Sequence, residues 1–139
     1  MVREELITAR LERLRDYLRT LKTIQKYDIE RYKNDVFVRA TTERYLHLSI
    51  ECLLDIGNHI ISDQGFRKPD TYAEIFEILV ENKVISKKIF QGLEGMTAFR
   101  NVLVHDYLRI DADKVYDILC EKLSYIEKLG VVFGRYLGP

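Results

Sequence analysis

Three side chains that handle phosphates and protons fall within eight residues: Arg100, His105 and Tyr107, with the amide of Asn101 beside the first. An arginine presents a planar fork of donors that matches phosphate oxygens. A histidine titrates near neutrality and can give or take a proton. A tyrosine adds a hydroxyl and a ring on which a flat group can stack. Spacing alone also fits a plainer account, in which His105 caps a helix C-terminus, where the backbone dipole favours an imidazolium.

Arg100 shares a helical face with Leu93, Met96, Leu103 and Val104, so its guanidinium projects from an apolar stripe and needs a partner. The candidates are Glu51 and Asp55. Together with His59 they lie four residues apart on one line of an upstream helix, in a polar sector that also holds His47 and Asn58. That line is either a structural network or a proton relay behind Arg100, and the spacing fits both.

The elements that must position these groups are helical. Ile7, Leu11, Leu14, Leu18 and Leu21 form one seam on a first helix from Arg3 to about Tyr27. Asp35 can cap a second helix from Val36 to about Ser62. The apolar residues of this second helix, from Tyr45 to Ile61, occupy most of its circumference. Such a helix is central in its fold or buries a face against another subunit, and a homodimer is expected. After a loop containing Gly65 and Pro69, Thr71 and Glu74 form a capping box for a short helix with Tyr72, Ile75, Phe76 and Leu79. Ser86 caps a fourth helix that runs to about His105, and a fifth carries Val115 to Leu129 and stops at Gly130. The expectation is all-α: an up-and-down bundle of about five helices, one domain over residues 1–139, without strands.

With 22 basic and 22 acidic side chains the net charge is zero, so no strong overall field draws nucleic acid or an anionic membrane. Any RNA contact must be local. One local stripe, Arg15, Arg19, Lys22 and Lys26 on the first helix, is either solvated surface or a weak landing strip for RNA phosphates. Cys52 and Cys120 sit in apolar helical patterns without a CxxC pair and read as structural. No Cys/His cluster has zinc spacing, and Gly92 and Gly95 do not follow a strand, so neither a metal nor another cofactor is expected. The charged segment from Met1 to Arg10 has no apolar signal core and no stretch is long enough to span a membrane. A soluble, cytoplasmic protein is expected.

The run Arg100-Asn101-Val102-Leu103-Val104-His105-Asp106-Tyr107 resembles the RX4HXY signature of HepT-type toxins of the HEPN superfamily, with Asn101 at a position that is often polar in HEPN nucleases. The similarity extends to Leu54-Asp55-Ile56-Gly57-Asn58-His59-Ile60-Ile61 and to Tyr72-Ala73-Glu74-Ile75-Phe76, covering about Arg39 to Asp111 in the family's order. The resemblance implies a HEPN-like fold and metal-independent RNA cleavage, with His105 as general acid or base, Arg100 stabilising the phosphate and Asn101 orienting either group. It also implies a cognate minimal nucleotidyltransferase antitoxin that binds the toxin and can transfer AMP to the motif tyrosine, here Tyr107. Because one motif must fill both proton-transfer roles, a site shared across a twofold axis is expected. Two rivals stay open. One is a non-enzymatic helical module that binds a nucleotide or docks the nucleotidyltransferase, and the other is a structural dimer in which Arg100 is locked in an ion pair.

Overall fold

A computed structural model describes residues 4–136. Seven helices follow in order: α1 (Glu4–Gln25), α2 (Ile29–Asn34), α3 (Val36–Gln64), α4 (Tyr72–Glu81), α5 (Lys87–Gly92), α6 (Met96–His105) and α7 (Ala112–Tyr136), with a 3-10 turn at Tyr107–Arg109 between the last two. Among the described residues there is no strand. The expected start of the first helix, Arg3, lies outside the described residues.

The three long helices α1, α3 and α7 pack on one another, and α4 and α6 add a second layer on the far side of α3. The seam of α1 is spent as expected: Ile7, Leu14, Leu18 and Leu21 are buried and Leu11 packs against the core. The wide apolar arc of α3 is accounted for within the chain. Leu46, Ile50, Leu53, Leu54, Ile56, Ile60 and Ile61 are buried on a helix that meets α1, α7, α4 and α6. No second subunit is needed to explain that width.

The caps read from sequence are in place. The Asp35 carboxylate accepts from the N–H groups of Phe37 and Val38, and Thr71 and Glu74 form the reciprocal capping box of α4. Gly65 ends α3 at φ 68°, a left-handed conformation that suits glycine.

Three expectations about boundaries are corrected. Between Gln25 and Val36 lies the extra helix α2, capped by Asp28 accepting from the Arg31 N–H, and its Tyr32 is buried in ring contact with Tyr116. The expected fourth helix is broken in two: α5 ends at Gly92, and α6 starts after Gly95, whose φ of 83° is incompatible with continuing a helix. At the break, a Cβ on residue 92 would lie 2.2 Å from the ring of Tyr125, so Gly92 lets α5 pack closely on α7. Finally, α7 does not stop at Gly130 but continues to Tyr136. A Cβ at residue 130 would sit 2.9 Å from the Leu14 side chain, so this glycine serves the contact between α1 and α7.

Candidate functional site

The break before α6 sets the geometry of the motif. Being short, α6 carries its first turn, with Met96 and Phe99 buried, against α3 and α4, and ends at His105. Arg100 lies on the packed side: its side chain is only 11% exposed. Its Nε donates to Glu51 Oε1 on α3, and its Nη1 donates to Asn101 Oδ1 at 2.9 Å. The Arg100 guanidinium carbon is 4.7 Å from the centre of the Tyr72 ring, at the start of α4. Three elements thus hold one cation, and among the described residues its Nη2 has no acceptor.

Glu51 therefore answers the question of which acid pairs with Arg100. Asp55 turns the other way, to α1, where Arg10 Nε donates to its Oδ2 at 3.0 Å. The line of Glu51, Asp55 and His59 is thus split, with Glu51 paired to Arg100 and Asp55 to Arg10. His59, half-buried one turn further on, makes no hydrogen bond or ion pair with the motif. The residue that does join the site is His47. Its Nε2 lies 3.6 Å from Glu51 Oε1, and Arg44 Nη1 approaches its Nδ1 at 3.3 Å. With Arg44 donating to Nδ1, the ring proton belongs on Nε2, facing Glu51. Burial, only partly opposed by Glu51, holds the His47 pKa below the usual histidine range, so the ring is neutral near pH 7 and the Glu51 charge is left to Arg100. The signal for His47 was its place one turn before Glu51 in the polar sector of α3.

His105 is five residues beyond Arg100, about 140° round the helix at 3.6 residues per turn. It is exposed and, among the described residues, has no hydrogen-bond or ion-pair partner. Tyr107 and Leu108 follow on the 3-10 turn, 75% and 84% exposed, and Asp106 at the junction pairs with Arg109 at 3.6 Å. The motif thus points its arginine into the protein and presents its histidine and tyrosine outward.

The basic stripe of α1 is not brought to this place. Arg15, Arg19 and Lys22 line a groove of about 740 Å³ between α1 and α7, with an apolar floor that includes Leu11 and Val131. Lys22 pairs with Glu127 and Arg19 with Asp16, while Lys26 is exposed and contacts no motif residue. Cys52 is buried, with its thiol pKa pushed up to about 11 mainly by desolvation, whereas Cys120 is exposed. Among the described residues no group of three or more His, Cys, Asp or Glu could hold a metal ion, and no helix is long and apolar enough to cross a membrane.

The fold is an all-helical bundle in which Arg100 is anchored on the central helix α3, with His105 at the exposed end of α6 and Tyr107 on the turn that follows. More narrowly, the chain belongs to the ribonuclease HepT-like family, whose model matches residues 7–130. The putative RNase YutE of Bacillus subtilis is 39% identical over 77 residues, 55% of this chain and 54% of YutE, so the chain aligns with about half of that relative. The tRNA nuclease HepT of Aphanizomenon flos-aquae is 30% identical over 111 residues, 80% of this chain and 76% of that one. A tri-AMPylated HEPN toxin of Shewanella oneidensis, solved in complex with its MNT antitoxin, superposes with a TM-score of 0.83 over 93% of this chain and 96% of its own, at 23% identity. That last likeness is one of fold.

Proposed function

We propose that the protein is the toxin of a toxin–antitoxin pair, an endoribonuclease that cleaves RNA through its Arg-X4-His-X-Tyr motif without a metal or other cofactor, and that it acts in the cytoplasm. One observation carries the reading. In a chain of the ribonuclease HepT-like family, Arg100 is held by Glu51 and Asn101 while His105 stands free at the end of the same helix.

Cleavage by attack of the ribose 2′-OH on the adjacent phosphate needs proton transfer and stabilisation of a charged phosphorane. His105, unpartnered and exposed, is placed to move the proton. Arg100 supplies the positive charge, and its open Nη2 edge is the part left for a phosphate oxygen. Asn101 orients Arg100, and Glu51 fixes the guanidinium from α3, with His47 behind it. Asp55 and His59 act as structure.

One chain offers one such histidine, and it points away from Arg100. Two copies related by a twofold axis would bring two outward-facing motif ends together and supply both acid and base. Val104, Tyr107 and Leu108, exposed around His105, form an apolar rim that suits such a meeting. The partner in regulation is a minimal nucleotidyltransferase that transfers AMP to Tyr107. The phenol is open to a transferase, and AMP there adds a bulky anion at the exposed end of the motif, near His105, where it would obstruct an RNA phosphate. The basic stripe of α1 contributes at most to general attraction.

Growth on induced expression tests the nuclease reading. Arrest with cut RNA from the wild type, and neither from folded Arg100→Ala or His105→Ala chains, is the expected result; equal toxicity of all three turns the site into a binding module. Tyr107→Phe should keep the helical circular-dichroism spectrum but take up no labelled AMP from the partner transferase and ATP. A variant labelled as well as wild type would remove Tyr107 as acceptor.

A further inference from the structure

The Tyr72 side chain belongs to two places at once. Its ring meets the Arg100 guanidinium, and it also lines a separate cleft of about 280 Å³ whose wall includes Asn58, Lys68, Asp70 and Ile75 but not Arg100. The ring is thus shared by the motif arginine and the cleft. Tyr72 is 49% exposed, unusual for an aromatic residue at a helix start whose neighbours Ile75 and Phe76 are buried. Asn58 is exposed on α3 seven residues, and so two turns, after Glu51. The same face of α3 that anchors Arg100 therefore carries an amide about 10 Å further along, at 1.5 Å per residue.

From this we infer that the cleft is a nucleobase subsite: one base of the RNA, next to the phosphate held at Arg100, stacks on Tyr72 and is read along its edge by Asn58. The inference rests on the nuclease reading above and names how its substrate is selected. The chemistry of the walls favours a base over a bare anion. The loop amides at the entrance are already satisfied, since Glu74 Oε2 accepts from the N–H groups of Asp70 and Thr71 at 2.8 and 3.0 Å. What remains is the Tyr72 ring, the aliphatic surfaces of Pro69 and Ile75, the Thr71 hydroxyl that caps α4, the Asn58 amide that both donates and accepts, and one charge of each sign in Lys68 and Asp70. Single-stranded RNA is recognised by such parts, bases splayed onto aromatic rings and read on their edges. The wall is also held before any ligand arrives. Arg67 ties the loop to α4 through Glu74 at 3.2 Å and Glu81 at 2.8 Å, so the cleft is preorganised.

The test is equilibrium binding of labelled ten-nucleotide single-stranded RNAs of each base, and of an abasic ten-mer, to the full chain carrying His105→Ala so that nothing is cut. Tyr72→Leu in that background should lower affinity for the base-bearing RNAs about tenfold more than for the abasic RNA, within the range for one stacked base. Tyr72→Phe should restore the loss, and Asn58→Ala should level the preference among the four bases. An equal loss for abasic and base-bearing RNA would mean that Tyr72 acts only through Arg100, and unchanged binding would mean that the cleft is not used; either overturns the subsite. Failure of the nuclease reading shows separately, as RNA left uncut by the wild-type chain.

Discussion

Replacing His105 by alanine is expected to slow RNA cleavage by the purified protein about 10²- to 10⁴-fold, the usual contribution of a positioned proton-transfer group, while leaving the thermal melt where it was. The two halves of that expectation have one source. An exposed side chain without a partner contributes little to folding, so its loss shows only where it acts. The deficit should appear in kcat, because a proton moves in the transition state and not on binding. A His105→Ala enzyme cutting at the wild-type rate would remove the histidine from the mechanism.

The reverse pattern is expected at Glu51. Its carboxylate is 24% exposed and faces an arginine that is 11% exposed, so Glu51→Leu leaves a nearly buried guanidinium without its counter-charge. Losing one partner of a fully buried pair costs about 3–5 kcal/mol. The residual exposure, the Asn101 oxygen and the Tyr72 ring soften this, and about 2 kcal/mol is expected, lowering the melting temperature by about 6 to 10 °C in a domain of this size. Adding Arg100→Met to Glu51→Leu should recover most of the loss, because the stranded charge goes with it. The double variant is expected to fold but not to cleave RNA. If Glu51→Leu melts with the wild type, the pair does not hold α6 to α3.

How far the sequence is legible differs from one part of the molecule to the next. Long helices with short-range signals were readable: the α1 seam, the Asp35 cap and the Thr71–Glu74 box each involve residues within four positions. The break between α5 and α6 was hidden because Ile89, Phe90, Leu93 and Met96 keep helical spacing across it, while the cause, a left-handed Gly95 and a Gly92 pressed on Tyr125, is partly tertiary. Gly130 misled for the same reason, since its role is set by Leu14 on another helix. At the site, the motif itself was visible as a local pattern, and so was the need for an acid opposite Arg100. The choice between Glu51 and Asp55 was not, because it depends on Arg10 reaching across from α1. His47 and Tyr72 escaped as site residues because their meaning lies in what they touch, not in their spacing.

The short α6 has a further consequence. It begins at a glycine that offers no side-chain cap, and it rests on α3 and α4 rather than within the packing of α1, α3 and α7. On the proposed function, the motif is carried on a segment whose packing is confined to α3 and α4, so local fraying there would disarm the site without unfolding the bundle. Substitutions that fray one ten-residue segment disarm the protein while the rest of the bundle persists, still able to occupy an inhibitor that recognises the scaffold.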